Sequence, residues 1–191
     1  MIASYSIPRM NENGHYFLCR SECPNVLNDQ GCAAGYPGGT WEYFDWVRNL
    51  TKLPIVAKGI ITGKNARQAV AHGASAILVS THGGRQMDSL PAAIDQLPEV
   101  VSAVGHQVDV YFDSGIRSGI DAFKALALGA KMVFIGRPTL WGLAYDGQKG
   151  VELVLDILKR ELQVAMTLAG CPTLRDISAF CVRKPCCNCK M

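Results

Sequence analysis

From Leu53 onward the sequence switches, four times in succession, between a short apolar run and a longer stretch of helical period. Leu53-Pro-Ile-Val-Ala57 reads as a strand and Lys64 to His72 as a helix, and Ser75-Ala-Ile-Leu-Val79 precedes a helical stretch from Ser89 to Val104. Val108-Asp-Val-Tyr-Phe112 then leads to a helix over Ile120 to Leu128, and Met132-Val-Phe-Ile135 to helical sequence from Val151 to Leu168. Short apolar runs joined by helices belong to parallel strands buried on both faces, because a parallel pair needs a crossover long enough to return the chain. An α/β protein is therefore expected. Charged and glycine-rich segments follow the runs, so the candidate chemistry gathers at the C-terminal ends of the strands.

That placement is the habit of the TIM (β/α)8 barrel. A doubly wound open sheet also binds ligands at the carboxyl ends of its strands, but its G-x-G-x-x-G fingerprint is absent. Eight βα units take about 250 residues, and four make half of that barrel. The expected fold is a partial TIM (β/α)8 barrel of about four C-terminal βα units with parallel strands. Residues 1 to 40, rich in Asn, Gly, Pro and Cys and without a sustained period, read as an irregular N-terminal extension. The half-barrel is expected over 41–180 and a Cys-rich tail over 181–191.

A mean hydropathy of +0.12 with 49% hydrophobic residues fits a globular chain of 191 residues. The net charge of +3 is small and the basic residues are scattered, which argues against nucleic acid as a partner. No stretch approaches the roughly 18 apolar residues of a membrane span. The start, Met1-Ile2-Ala3-Ser4-Tyr5-Ser6, lacks a basic region followed by an apolar core, so a soluble, unsecreted protein is expected. The eight cysteines, Cys19, Cys23, Cys32, Cys171, Cys181, Cys186, Cys187 and Cys189, cluster towards the two ends. A disulfide scaffold threads its cysteines through the whole domain, so reduced thiols are expected. The tail spacing Cys-x4-Cys-Cys-x-Cys departs from paired Cys-x2-Cys hooks, and no metal site is expected. The sequon Asn49-Leu50-Thr51 is expected to stay unmodified.

Four segments carry candidate chemistry. Ser80-Thr81-His82-Gly83-Gly84-Arg85 sets a base and a cation three residues apart on a glycine-rich loop. A His with an ordinary pKa near ~6.5 takes up a proton at neutral pH, and a planar guanidinium grips a carboxylate through two parallel hydrogen bonds. Lys58 stands at the end of the first apolar run, Asp113-Ser114-Gly115-Ile116-Arg117-Ser118-Gly119 follows the third, and Gly136-Arg137-Pro138 follows the fourth. Each has a plain structural reading: Lys58 as a rim lysine, Asp113 to Arg117 as turn chemistry. Their ordered combination favours an anion site. Gly115 and Gly119 let backbone N–H groups approach an anion at the start of the helix near Ile120, where the dipole favours negative charge. Arg117 and Arg137 add charge-assisted hydrogen bonds. Loops after the last two strands of a barrel are a recurrent phosphate site.

In Leu53-Pro-Ile-Val-Ala-Lys-Gly59, Val79-Ser-Thr-His-Gly-Gly-Arg-Gln86, Asp113 to Gly119, Ala125-Leu-Ala-Leu-Gly-Ala130 and Gly136-Arg-Pro-Thr-Leu-Trp-Gly142, the sequence resembles the FMN-dependent 2-hydroxy acid oxidase and dehydrogenase family, which includes glycolate oxidase and lactate oxidase. The resemblance runs from about Trp41 to about Ala179. Asp-x-Gly-x-Arg and Ala-Leu-Gly-Ala also occur in other phosphate-binding barrels such as inosine monophosphate dehydrogenases, and His-Gly-Gly-Arg decides between them. The resemblance implies FMN as cofactor, with Lys58 beside the pyrimidine side of the flavin and Ser80 hydrogen-bonded to it. It implies that Asp113, Ser114, Gly115, Ile116 and Arg117 hold ribityl and phosphate, and that Gly136 and Arg137 complete the phosphate site. His82 would be the catalytic base and Arg85 the clamp on the substrate carboxylate. The implied reaction takes a small (S)-2-hydroxy acid to the 2-oxo acid, with oxygen as electron acceptor and hydrogen peroxide as product. A cation about 4 Å from a reduced, negatively charged ring gains roughly 4 kcal/mol at an effective dielectric of 20, before its own desolvation.

Thr81 stands where this family usually has Asn, and Ser114 where it usually has Gly, so the loops at both positions are expected to be looser. The preceding half of the family's barrel has no counterpart in residues 1 to 40. The implied enzyme therefore needs two half-barrels to associate as a homo-oligomer, or association with a full-length relative. The alternative is a noncatalytic half-barrel that binds FMN weakly or serves as an assembly partner. His15, His72 and His106 read as surface or loop histidines, and Met166 with Leu162 as ordinary helix packing. The final Cys189-Lys190-Met191 keeps the small, basic, apolar order of a peroxisomal Ser-Lys-Leu signal, which gives a peroxisomal or cytoplasmic location.

Overall fold

The structure, a computed structural model, describes residues 16–18, 36–39, 41–87 and 89–183. The expectations placed on His15, on the cysteines at 19, 23, 32, 186, 187 and 189, and on the last three residues fall outside these. Two short strands come first, β1 (Tyr16–Leu18) and β2 (Tyr36–Gly39), paired antiparallel where the sequence alone suggests irregular chain. The main sheet has four parallel strands: β3 (Val56–Ile60), β4 (Ala76–Val79), β5 (Asp109–Phe112) and β6 (Met132–Val133). Its spatial order is β3-β4-β5-β6. A doubly wound sheet reverses its strand order at a switch point. Here spatial order follows chain order without reversal, as in the wall of a barrel, so the fold is the partial barrel that the alternation predicts.

Helices fill the crossovers: α1 (Trp41–Leu50) before the sheet, then α2 (Gly63–Ala71), α3 (Ala93–Val104), α4 (Gly119–Ala127) and α5 (Arg137–Leu168). All four residues of β4 are buried, and Val110 and Phe112 of β5 join them in one core with Ala66 and Ala69 of α2 and Leu97, Val100 and Val104 of α3. Each such large aliphatic or aromatic side chain contributes about 1.5–3 kcal/mol on burial. Among the described residues no helix is long and apolar enough to cross a membrane.

Several boundaries differ from the sequence reading, and those of β3 and α5 bear on the site. Strand β3 begins at Val56 because Leu53 is 65% exposed and Pro54 offers no N–H to a ladder. Lys58 consequently lies inside the strand rather than after it. The register shifts between Lys58 and Ile60, which pair with Leu78 and Val79, so one extra residue bulges out beside Lys58. Helix α5 starts at Arg137 rather than near Val151, with Pro at its first turn, and breaks at Asp146 and Gly147. Its two segments meet at a pair of glycines. A Cβ on Gly150 would stand 1.8 Å from the Gly142 carbonyl oxygen, so no larger residue fits that crossing.

His72 does more than sit on the surface. It ends α2, stacks on Trp41 with ring centroids 5.3 Å apart, and places Nδ1 2.9 Å from an Asp45 carboxylate oxygen. Arg48 donates to the His72 carbonyl at 3.0 Å, so α1 is fastened to the end of α2.

Candidate active site

Residues at and just beyond the C-terminal ends of the parallel strands meet on one rim. The Lys58 Nζ donates to Ser80 Oγ at 2.9 Å and lies 3.4 Å from Asp113 Oδ2, joining β3, β4 and β5. Ser80 is the one buried polar residue among those described, and its Oγ also accepts the His82 N–H at 3.1 Å. Asp113 continues β5, its N–H donating to the Val79 carbonyl at 3.1 Å. Ser114 Oγ donates to Asp113 Oδ1 at 2.7 Å while accepting the N–H groups of Thr81 and Gly83 at 3.1 and 3.2 Å. Arg137, at the start of α5, donates to the Gly83 carbonyl. The His82 turn is thus tied to three strand ends and one helix.

His82 and Ser114 both adopt positive φ, 55° and 72°. Non-glycine residues pay for that conformation and keep it only where their surroundings over-determine it. Here the hydrogen bonds around Ser114 do so. Burial pushes the His82 pKa below its ordinary value, and the charges of Lys58, Arg85 and Arg137 push the same way against the opposing Asp113. His82 is therefore a neutral imidazole at pH 7, with a lone pair free to take a proton. Its Nδ1 is buried and has no hydrogen-bond partner among the described residues.

The structure gathers Lys58, Ser80, His82, Asp113, Ser114 and Arg137 into this network. Arg85, Gly115, Arg117 and Gly136 are exposed along the same rim, and Ile116 is buried in the core beneath it. Two expectations change. Ser114 does not loosen its loop; its hydroxyl bridges Asp113 to the His82 turn, a tie that glycine lacks. Gly119 does not offer its N–H to an outside anion. Glu161 of α5 occupies it, Oε2 accepting at 2.7 Å, and Asp121 and Ser118 close a capping box on the same helix end. Glu161 escaped the sequence reading because it lies 42 residues away on a helix face of ordinary composition. The signal available was Gly119 itself: a Cβ there would stand 2.1 Å from the Leu162 nitrogen, so glycine marks a helix crossing.

The start of α5 is different. Its N-cap is Gly136, with no side-chain cap bonded to the first turn, and nothing lies within 4 Å of where a Cβ on Gly136 or Gly115 would project. An uncapped helix N-terminus with Arg137 at its first position and Arg117 on the neighbouring loop fits a phosphate. The part-buried Lys58–Ser80–Asp113 cluster fits a polar ring edge. The donor set is therefore compatible with a flavin mononucleotide lying along the rim.

The sequence profile described as FMN-dependent dehydrogenase matches residues 24–184. The chain belongs to this family. It is 54% identical over 165 residues to 2-hydroxyacid oxidase 1 of Homo sapiens, covering 84% of the chain and 45% of the human protein. It is 50% identical over 144 residues to a peroxisomal (S)-2-hydroxyacid oxidase of Arabidopsis thaliana, covering 75% of the chain and 40% of that protein. A solved mandelate oxidase variant with a monooxide FMN adduct superposes with a TM-score of 0.70 at 47% identity, over 75% of this chain and 46% of its own. The chain thus spans less than half the length of the relatives it matches. The family's cofactor is FMN, and its matched members are oxidoreductases.

Proposed function

We propose that this half-barrel carries the proton-accepting, cofactor-facing side of an FMN-dependent oxidase that converts a small (S)-2-hydroxy acid to its 2-oxo acid, with oxygen as final acceptor and hydrogen peroxide as product. The observation that carries this reading is His82, kept neutral on a turn fixed to Ser80, Ser114 and Arg137 and flanked by the cations of Lys58 and Arg85. Lys58, Ser80, Asp113, Ser114, Gly115, Ile116 and Arg117 would hold FMN along the rim, with Gly136 and Arg137 at its phosphate. FMN, when bound, supplies the two-electron acceptor. Arg85 grips the substrate carboxylate. Because Nδ1 is buried, His82 takes the substrate proton at Nε2, a task worth roughly 10² to 10⁴ in rate. With Nε2 as the base, the buried Nδ1 carries the ring proton of the neutral tautomer.

Completion of the barrel is proposed to come from a second copy of the chain or from a full-length relative. Each outer strand of the sheet, β3 and β6, has one strand neighbour among those described. Helix α5 exposes Leu140, Trp141, Leu143 and Tyr145, the last to 79%. Open edges and bare apolar faces favour association. The same observation favours a second reading, in which the isolated chain binds FMN weakly and does not turn over. Measuring 2-oxo acid and peroxide from glycolate or lactate over a range of chain concentrations separates the two. Equimolar products with a rate per chain that rises with concentration support the oxidase. Absence of both products at every concentration, with or without added FMN, leaves the noncatalytic reading. A peroxisomal location is proposed from the Arabidopsis relative's description. Co-localisation of the labelled chain with a peroxisomal marker is the expected outcome, and a diffuse cytosolic signal contradicts it.

A further inference from the structure

We propose that Cys171 and Cys181 form a reversible disulfide clasp, closed by a peroxide, that fastens the C-terminal segment to α4 and α5. The two sulfurs lie 3.7 Å apart across ten residues of sequence. Both belong to a second apolar cluster, in which Phe123 and Ala127 of α4 and Ile177 are buried, and Leu162, Ala165 and Met166 of α5 pack around them. Cys171 is fixed at the end of α5, its N–H donating to the Met166 carbonyl at 2.9 Å. The segment between is ordered by a Thr173–Asp176 capping box, and Cys181 closes a single 3-10 turn, Ala179–Cys181. Closing the sulfurs to a bond of about 2.05 Å therefore asks for movement of one short turn.

The two thiols are unequal. Cys171 is buried, and that burial together with the neighbouring Cys181 raises its pKa. Cys181 is more open, and hydrogen bonds from the Ser178 backbone and from Cys171 lower its pKa. The thiolate is the nucleophile, so Cys181 reacts first. Its sulfur attacks one oxygen of the peroxide, the O–O bond breaks, and the departing hydroxide takes a proton to become water, leaving Cys181 as a sulfenic acid. The Cys171 sulfur then attacks the Cys181 sulfur, the S–S bond forms, and the sulfenic hydroxyl leaves as water with the Cys171 proton. Two thiols lose two electrons and one peroxide becomes two waters. Hydrogen peroxide from any source serves, so the clasp is independent of the function proposed above.

Trypsin tests this directly, because it places Cys171 in the peptide 161–175, Cys181 in 176–183 and the three tail cysteines in 184–190. The full chain is reduced, desalted, treated with stoichiometric hydrogen peroxide, alkylated and digested. The expected product is a linked 161–175/176–183 pair, lighter than the sum of its parts by two hydrogens and separated again by dithiothreitol. Cys181→Ser, on an open turn, abolishes that pair and leaves Cys171 alkylated while circular dichroism stays unchanged. Linkage of either cysteine to the tail peptide, or recovery of both unlinked after peroxide, overturns the proposal.

Discussion

His82 is held neutral by burial first and by neighbouring cations second, which fixes the sign of two predictions. Its imidazole should titrate below pH 6.5 in the folded chain by NMR, and Lys58→Met, which removes a repelling cation, should move that titration upward. An unchanged or lowered value would mean that Lys58 does not act on the ring. Since the unfolded chain binds more protons as pH falls through 6.5, His82 costs stability below that pH and not above it. Ser114 gives a sharper comparison. Ser114→Ala strands the Thr81 and Gly83 N–H groups, at about 1–3 kcal/mol for each unsatisfied donor that water does not reach, and keeps a left-handed φ. Ser114→Gly loses the same bonds but relieves backbone strain of about 1–2 kcal/mol, so urea unfolding should find it the milder change. Equal losses would show that the 72° φ carries no strain. The residue types at this site were legible in sequence, because a base, four cations and a carboxylate lie at or after apolar runs in order. The Ser114 bridge was not, since it joins positions 33 and 31 residues apart.

At the scale of elements, two carboxylates hold helix N-termini from the next crossover: Glu99 of α3 accepts from Gly63 at 2.7 Å and Glu161 of α5 from Gly119 at 2.7 Å. Each supplies an acceptor to orphan donors and a negative charge to the positive end of a dipole. Gly119→Ala drives a methyl into the α5 backbone and should cost about 1–3 kcal/mol, as overpacking does. A loss below a few tenths of a kcal/mol in chemical denaturation would contradict the crossing. Strands β4 and β5 were readable because uninterrupted apolar runs have one sensible place, between two helical layers. Strand β3 was placed three residues early because Pro54 and exposed Leu53 extend the apolar run without joining the ladder. The first segment of α5 was missed because Gly142, Gly147 and Gly150 interrupt the helical period that would reveal it.

For the whole molecule, the count of four units in sequence gave the half-barrel, and spatial order that follows chain order excludes the open-sheet alternative. The alternation of strands and helices carries no signal of what packs on Leu140, Trp141, Leu143 and Tyr145, the exposed apolar side chains of α5. If two copies complete each other, sedimentation should show a monomer that becomes a dimer with rising concentration, and Trp141→Glu, placing a charge on a side chain 66% exposed, should weaken that association without unfolding the chain. A monomer at all concentrations would remove self-assembly. The most direct measurement is the anaerobic flavin spectrum of the FMN-reconstituted chain before and after glycolate, lactate or a longer 2-hydroxy acid. Bleaching by at least one acid that disappears in His82→Ala is the predicted result, and bound flavin that stays oxidised with every acid, or a chain that binds no flavin, contradicts it.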